Sequence, residues 1–119
     1  MREQGAATAE QVVRRHLAAV VSQDRTGMSA DYDLEAVLER PDATYRGRDA
    51  IAAYFETVTP RLGSGRVAAE DPQLGIDGSV TVRWRIEGGP ADRTTGTDTY
   101  VVDRGWIRSQ RVTLDGHDF

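Results

Sequence analysis

The sequence predicts an α+β fold in which helices pack on one face of a curved antiparallel sheet. In the first half of the chain, apolar residues recur at helical intervals, whereas the second half alternates in the manner of strands. Turn signals that contain glycine separate the strand-like stretches, and such short connections join antiparallel neighbours. Helices followed by a meander of strands are typical of this fold class.

Three helices are predicted in the N-terminal half. The first covers residues 8–24, where Thr8 begins a capping-box pattern and an apolar stripe follows. A short helix is expected within residues 26–33. The next covers residues 49–59 and is expected to stop before Pro60. The two longer helices each carry an apolar stripe, which is expected to pack on the sheet.

The strands are predicted from stretches rich in valine, threonine and aromatic residues. One short strand is expected over residues 36–41, and the sheet is expected mainly from residues 66–114. Since side chains alternate along a strand, Asp98, Tyr100 and Val102 share one face. That face has the larger apolar groups, so Asp98 is predicted to point inward. A carboxylate is costly to bury unless it is paired, protonated or used in chemistry.

Composition narrows the possible functions. The 119 residues suffice for a single domain, residues 1–119, and no apolar run is long enough for a membrane span. We therefore expect a cytoplasmic protein with no membrane partner. The chain has no cysteine and only two histidines, so we expect no metal and no other cofactor. A net charge of −4 without a basic run argues against nucleic acid as a partner. Since all 15 basic residues are arginine, lysine Schiff-base chemistry is excluded.

Two stretches carry a resemblance to a known family. "AVLERPDATYRGRDAIAAYFETV", followed by "GTDTYVVDRGWI", resembles the nuclear transport factor 2-like superfamily, specifically its SnoaL-like and ketosteroid-isomerase-like branch. The resemblance extends from Thr8 to about Leu114. It implies a cone-shaped half-barrel of cystatin-like architecture, in which a bent sheet wraps about three helices around a deep apolar pocket. It also implies a homodimer, since many members dimerise through the outer sheet face.

The resemblance places three polar residues at the pocket. His16 stands where ketosteroid isomerases have a tyrosine that donates to the substrate oxyanion, and Arg40 stands where they have the general base. Asp98 matches their second oxyanion donor, a protonated aspartate. Because an arginine cannot abstract a proton, the usual steroid isomerisation is not expected. The Arg40 and Asp98 combination is closer to limonene-epoxide-hydrolase-type members, although their second aspartate falls on Val112.

The pocket wall is predicted from the same resemblance and from the strand face that carries Asp98. The expected substrate-binding residues are Tyr54, Val82, Trp84, Tyr100, Gln110 and Val112. Tyr32 could lie over the pocket mouth, if the short second helix presents it there. His117 belongs to a C-terminal tail and is not expected to contribute.

Each polar residue has a catalytic and a structural interpretation. Asp98 is either an acid–base group or the partner of Arg40 in a buried ion pair. His16 either orients Asp98 and exchanges a proton near neutral pH, or is a core histidine bonded to a carbonyl. Arg40 either binds a substrate oxyanion or only neutralises Asp98.

We therefore expect a cofactor-free enzyme that acts on a small, largely apolar organic molecule by acid–base chemistry. Isomerase, cyclase, dehydratase and epoxide-hydrolase types are all compatible with these residues. The alternative is a non-catalytic small-ligand-binding or assembly module of the same fold. Convergence of Asp98, His16 and Arg40 within hydrogen-bond reach on an open cavity would favour the enzyme, whereas a cavity filled by side chains would count against it. The predicted dimer surface is the outer sheet face, which carries Arg83, Arg85, Thr97, Thr99, Arg111 and Thr113.

Overall fold

The computed structural model describes residues 7–116, so that His117 lies outside the described residues. These residues form three helices and seven strands. The helices are α1 Ala9–Ser22, α2 Arg25–Ala30 and α3 Arg48–Leu62. The strands are β1 Tyr32–Glu39, β2 Thr44–Arg46, β3 Arg66–Ala69, β4 Gln73–Leu74, β5 Val80–Glu87, β6 Thr95–Asp103 and β7 Trp106–Leu114. The helices pack on one face of a curved, unclosed sheet, so the predicted fold class is confirmed.

The sheet has the strand order β2-β1-β7-β6-β5-β3, with β4 paired to β5. Strands β5, β6 and β7 form the antiparallel meander that the turn signals predict. Strand β1 differs, because it pairs parallel to β7 and makes the sheet mixed. Turn signals report only on strands that follow one another in sequence, whereas β1 and β7 are separated by most of the chain.

The ends of three elements correct the sequence prediction. Helix α3 passes through Pro60 and ends at Leu62, instead of stopping before the proline. A proline at this point removes one backbone hydrogen bond, while Leu62 becomes completely buried and offsets that loss. Strand β1 begins at Tyr32 rather than at residue 36, and α2 ends correspondingly earlier, at Ala30.

Helix α1 begins as its capping box predicts. The Thr8 hydroxyl accepts a hydrogen bond from the Gln11 backbone N–H at 3.1 Å, and the Gln11 side chain accepts one from the Thr8 N–H at 2.9 Å. The inner face of the helix buries Val12, Val13 and His16. The cap therefore fixes the phase that directs His16 toward the sheet.

The core lies between the helices and the concave face of the sheet. Val80, Val82 and Ile86 of β5 and Tyr100 of β6 are all buried, as the strand alternation predicts. Within residues 7–116, no helix combines the length and the apolar character that a bilayer crossing needs.

Gly96 is the point at which β6 makes room for Trp84, its direct partner across the β5–β6 pair. A Cβ atom at this position would overlap the Trp84 indole and would lie 2.7 Å from the Thr113 carbonyl oxygen. The missing side chain therefore lets the indole lie across β6 and reach Asp98.

We expect Gly96→Ala to lower the free energy of unfolding by about 1–3 kcal/mol, since an added methyl group overpacks this contact. Thermal or urea unfolding measures the change. Gly116→Ala is the control, because an added Cβ there meets no atom within 4 Å. Equal stability of the two variants would contradict the close packing described here.

Candidate active site

A cavity opens between α1, α3 and the concave face of the sheet. Its wall contains all three predicted catalytic residues and five of the six predicted substrate-binding residues. These are Asp98, His16, Arg40, Tyr54, Trp84, Tyr100, Gln110 and Val112. The centres of water-sized molecules can occupy about 70 Å³ of the cavity. The cavity is therefore open, although it is narrow.

Val82 does not reach this cavity, which corrects the sequence prediction. It lies directly opposite Asp98 across the β5–β6 pair and is completely buried in the core. The longer side chains of Trp84 and Asp98 meet beside it, with 3.0 Å between the indole Nε1 and Oδ1 of the carboxylate. These two side chains form the wall, and the shorter valine packs in the core.

Asp98 holds its carboxylate among three neutral hydrogen-bond donors. Oδ1 accepts from Nε1 of Trp84, while Oδ2 accepts from Nε2 of Gln110 at 3.0 Å and from the Tyr100 hydroxyl at 3.3 Å. Burial raises the pKa of Asp98 to about 6, against these hydrogen bonds and the charge of Arg40, which lower it. Asp98 is therefore mostly ionised at neutral pH, but it accepts a proton more readily than an ordinary aspartate.

Arg40 does not form the direct ion pair with Asp98 that the structural interpretation requires. Its guanidinium donates to the Tyr54 hydroxyl at 3.0 Å and to the Asp42 carboxylate at 3.1 Å. The Arg40 side chain is only 2% exposed, whereas Asp42 lies on the surface. The charge of Arg40 reaches Asp98 from a distance and is the weakest of the influences on its pKa.

Tyr54 is held in the cavity wall by Arg40. Its hydroxyl oxygen accepts the Arg40 hydrogen bond, and it donates to no group among residues 7–116. Burial raises the pKa of Tyr54, while the Arg40 charge acts in the opposite direction. The phenol therefore stays protonated at neutral pH, and its hydrogen can be donated to an oxygen atom of a bound molecule.

His16 contacts aromatic residues instead of Asp98. Its ring meets Tyr32 and Tyr100 edge to face, at centroid distances of 5.3 and 5.6 Å. Burial lowers the pKa of His16 to about 4, against the charge of Asp31 and the Met28 backbone, which raise it. The ring is thus neutral at pH 7, and this placement does not support the expected proton exchange near neutral pH. In the described part of the chain, Nδ1 has no hydrogen-bond partner of normal geometry.

Tyr32 occupies a different place from the pocket mouth expected from the sequence. It is completely buried, and its hydroxyl donates to Oε1 of Gln110. The reason is that Tyr32 begins β1 instead of extending α2, so that its side chain points to the concave face. Alternation along β1 would not have indicated it, because Leu34 is exposed and the pairing of β1 with β7 is irregular between Tyr32 and Val37.

No group of three or more histidine, aspartate or glutamate side chains within residues 7–116 is arranged to hold a metal ion. The polar groups of the cavity are instead those that make and break hydrogen bonds: a carboxylate, phenols, an amide, an indole, an imidazole and a guanidinium. This set suits proton transfer and the stabilisation of a negatively charged oxygen.

We expect the free energy of unfolding of Asp98→Asn, relative to that of the parent protein, to rise by about 1–3 kcal/mol between pH 4 and pH 8. Because folding raises the pKa of Asp98 from 3.8 to about 6, the folded protein binds this proton more tightly than the unfolded chain does. The ionised carboxylate therefore destabilises the fold above pH 6, and this effect is absent below about pH 4.

Urea unfolding of both proteins at pH 8 and at pH 4 measures this change. Asp103→Asn is the control, because the Asp103 side chain is 54% exposed and pairs with Arg108 on the surface. A stability difference between Asp98→Asn and the parent protein that is the same at pH 4 and pH 8 would refute this description of the carboxylate.

The family model of the SnoaL-like domain matches residues 13–113. No curated protein matches the chain in sequence. Among solved structures, a candidate polyketide cyclase from Sinorhizobium meliloti superposes with a TM-score of 0.75 at 18% identity, covering 94% of this chain and 100% of that chain. A candidate isomerase of the SnoaL-like family from Agrobacterium tumefaciens superposes with a TM-score of 0.72 at 21% identity, covering 88% of this chain and 95% of that chain.

Other similar structures are described by their fold. An NTF2-like protein from Cytophaga hutchinsonii superposes with a TM-score of 0.75 at 14% identity, covering 97% of this chain and 95% of that chain. At such identities the likeness concerns the fold alone, and it agrees with the cone-shaped architecture that the motifs imply. Together with the match over residues 13–113, this fold shows that the chain belongs to the SnoaL-like family.

Proposed function

We propose that the protein is an enzyme of isomerase or cyclase type, which moves protons on a small, largely apolar organic molecule without a cofactor. Asp98 is the proton-transfer group. The Tyr54 hydroxyl, held by Arg40, stabilises the oxygen atom that becomes negative during the reaction. One observation carries the proposal: the same cavity holds a carboxylate with a raised pKa and a phenol whose hydrogen is donated to no group among residues 7–116.

Removal of a proton from a carbon next to a carbonyl group fits this arrangement. The Asp98 carboxylate takes the proton, and the electron pair of the C–H bond moves to give an enolate. Tyr54 donates a hydrogen bond to the enolate oxygen, and the adjacent Arg40 cation favours the negative charge. Asp98 then returns the proton to another carbon, which completes an isomerisation. In a cyclisation, the enolate carbon attacks a carbonyl carbon of the same molecule, and the new alkoxide takes the proton.

The cavity wall supports an apolar and compact substrate. The apolar residues of the wall include Leu17, Val20, Phe55, Val58 and Ile86. Such a wall favours apolar molecules, while a few polar groups set their orientation. Epoxide hydrolysis fits less well, because the second aspartate of that class is replaced by Val112, which is apolar and buried.

We expect the protein to exchange hydrogen for deuterium at the carbon next to the carbonyl of single-ring ketones and enones. Proton NMR in deuterium oxide follows this reaction directly. Asp98→Asn is expected to slow the exchange by about 10²–10⁴-fold, the usual contribution of a general base.

Asp103→Asn, on the surface, is the matched control and should exchange at the parental rate. Exchange by Asp98→Asn at the parental rate would disprove the role of this carboxylate. Ketones that bind without any exchange would instead indicate the alternative function, a small-ligand-binding module.

We also propose a homodimer that forms through the outer face of the sheet. Two arginines of this face already have partners in the same chain: Arg83 contacts Asp115 at 2.8 Å, and Arg111 contacts Glu39 at 3.1 Å. The exposed Val101 lies on the same face of β6. A surface whose charges are neutralised around an apolar residue can meet its own copy without strong repulsion.

Val101→Glu is expected to shift the protein from dimer to monomer, because the substitution places two negative charges near the two-fold contact. Light scattering at micromolar concentration measures the mass. Ile76→Glu, a fully exposed turn residue away from the sheet face, is the control and should remain dimeric. A monomeric parent protein would rule out the dimer.

A further inference from the structure

A line of hydrogen bonds connects Tyr32 to Asp98 through the amide of Gln110. The Tyr32 hydroxyl donates to Oε1 of Gln110, and Nε2 of Gln110 donates to Oδ2 of Asp98 at 3.0 Å. Tyr32 is completely buried and Gln110 is 4% exposed, so the bond between them is shielded from bulk water. The amide thus has its carbonyl side at Tyr32 and its amino side at Asp98.

The orientation of this amide decides which form of Asp98 it supports. With the amino group toward Asp98, the amide donates a hydrogen bond that favours the ionised carboxylate. Rotated by half a turn, it would present a carbonyl oxygen, to which only the protonated acid can donate. The two orientations therefore favour opposite protonation states of the same residue.

The Tyr32 hydroxyl hydrogen selects one of the two orientations. His16 is the other polar neighbour of this hydroxyl, with 3.5 Å between Nε2 and the hydroxyl oxygen, and Gln110 is closer. Burial raises the pKa of Tyr32 well above its ordinary value, so the phenol keeps its hydrogen. A donor fixed at this point attracts the carbonyl side of the amide.

Other titratable groups also face Asp98. They are Tyr100 beside it on β6, Tyr54 on α3 and Arg40 at the end of β1, while His16 on α1 lines the same cavity. Of these, Tyr100 donates directly to Asp98, and Arg40 acts on it from a distance. Tyr32 is the residue that reaches Asp98 through Gln110.

We propose that Tyr32 is a positioning residue, which holds the amino group of Gln110 toward Asp98 and thereby stabilises the ionised carboxylate. The effect of Tyr32 on catalysis rests on the proposed function, in which ionised Asp98 is the base. The orientation itself is a property of the protein without any substrate.

The test is a carbon-13 NMR titration of the Asp98 carboxyl group in the full chain, assigned by the signal that Asp98→Asn removes. Tyr32→Phe is expected to raise the titration midpoint of Asp98 by about one pH unit, since the amide is then free to turn its carbonyl toward the acid. Tyr45→Phe is the matched control, because it removes a phenol hydroxyl on β2 outside this line of hydrogen bonds. Its midpoint should equal that of the parent protein.

Gln110→Met tests whether the effect passes through the amide. This variant should also raise the titration midpoint of Asp98. Adding Tyr32→Phe to it should raise that midpoint no further. An unchanged midpoint in Tyr32→Phe overturns the proposal. A full additional rise in the double variant also overturns it, since Tyr32 would then act without Gln110.

The parent protein offers a second measurement that needs no variant of Tyr32. The Gln110 amide hydrogens should shift with the same midpoint as the Asp98 carboxyl carbon, and their failure to do so overturns the proposal. Since no substrate is present, the outcome is independent of turnover. A protein with the expected midpoints but no proton exchange on ketones would refute the proposed function and leave the positioning role standing.

Discussion

The polar groups of the cavity are arranged around the carboxylate of Asp98. Neutral hydrogen-bond donors hold this carboxylate, instead of a cation. Trp84, Tyr100 and Gln110 come from three adjacent strands, and all three donate to Asp98. The arrangement requires Gly96, because any side chain there would displace the Trp84 indole. Burial without a directly bonded cation destabilises the charged form, so the pKa of Asp98 lies near 6. A protein that keeps such a group accepts a loss of stability, as is common at sites where chemistry takes place.

The separation of Arg40 from Asp98 is as important as the presence of both. A direct ion pair would lower the pKa of the carboxyl by about 1–3 units and leave a weak base. Instead, Asp42 on the surface binds one part of the guanidinium, and the Tyr54 hydroxyl binds another. The positive charge therefore lies beside the Tyr54 phenol on α3, while the Asp98 carboxylate lies on the sheet. Tyr54 and Asp98 thus face one cavity from two different layers of the fold.

The sequence predicts those features that depend on local spacing. The capping box at Thr8, the antiparallel meander and the inward direction of Asp98 follow from patterns within a few residues, and the structure has each of them. The family resemblance also places His16 and Arg40 at the pocket, and both residues line the cavity. The side chains that these residues contact are not local. His16 contacts Tyr32 across 16 positions, and Tyr32 bonds to Gln110 across 78.

The parallel pairing of β1 with β7 explains why local sequence patterns do not predict the contacts of Tyr32 with distant residues. It brings Tyr32 beside Ile107 and Leu38 beside Gln110, a register that no turn signal encodes. Two further errors have similar causes. Leu62 extends α3 beyond Pro60 because its burial outweighs a lost backbone hydrogen bond, and Val82 is kept from the cavity by the length of its neighbours. In both cases packing between elements overrides the local pattern.

The central claim is that burial disfavours the ionised form of the Asp98 carboxylate. The most direct measurement is the carbon-13 titration of its carboxyl group in the parent protein, without any ligand. The structure leads us to expect a midpoint near pH 6. A midpoint near the ordinary value of 3.8 would contradict the account, because Asp98 would then be a solvated or ion-paired aspartate of no special basicity.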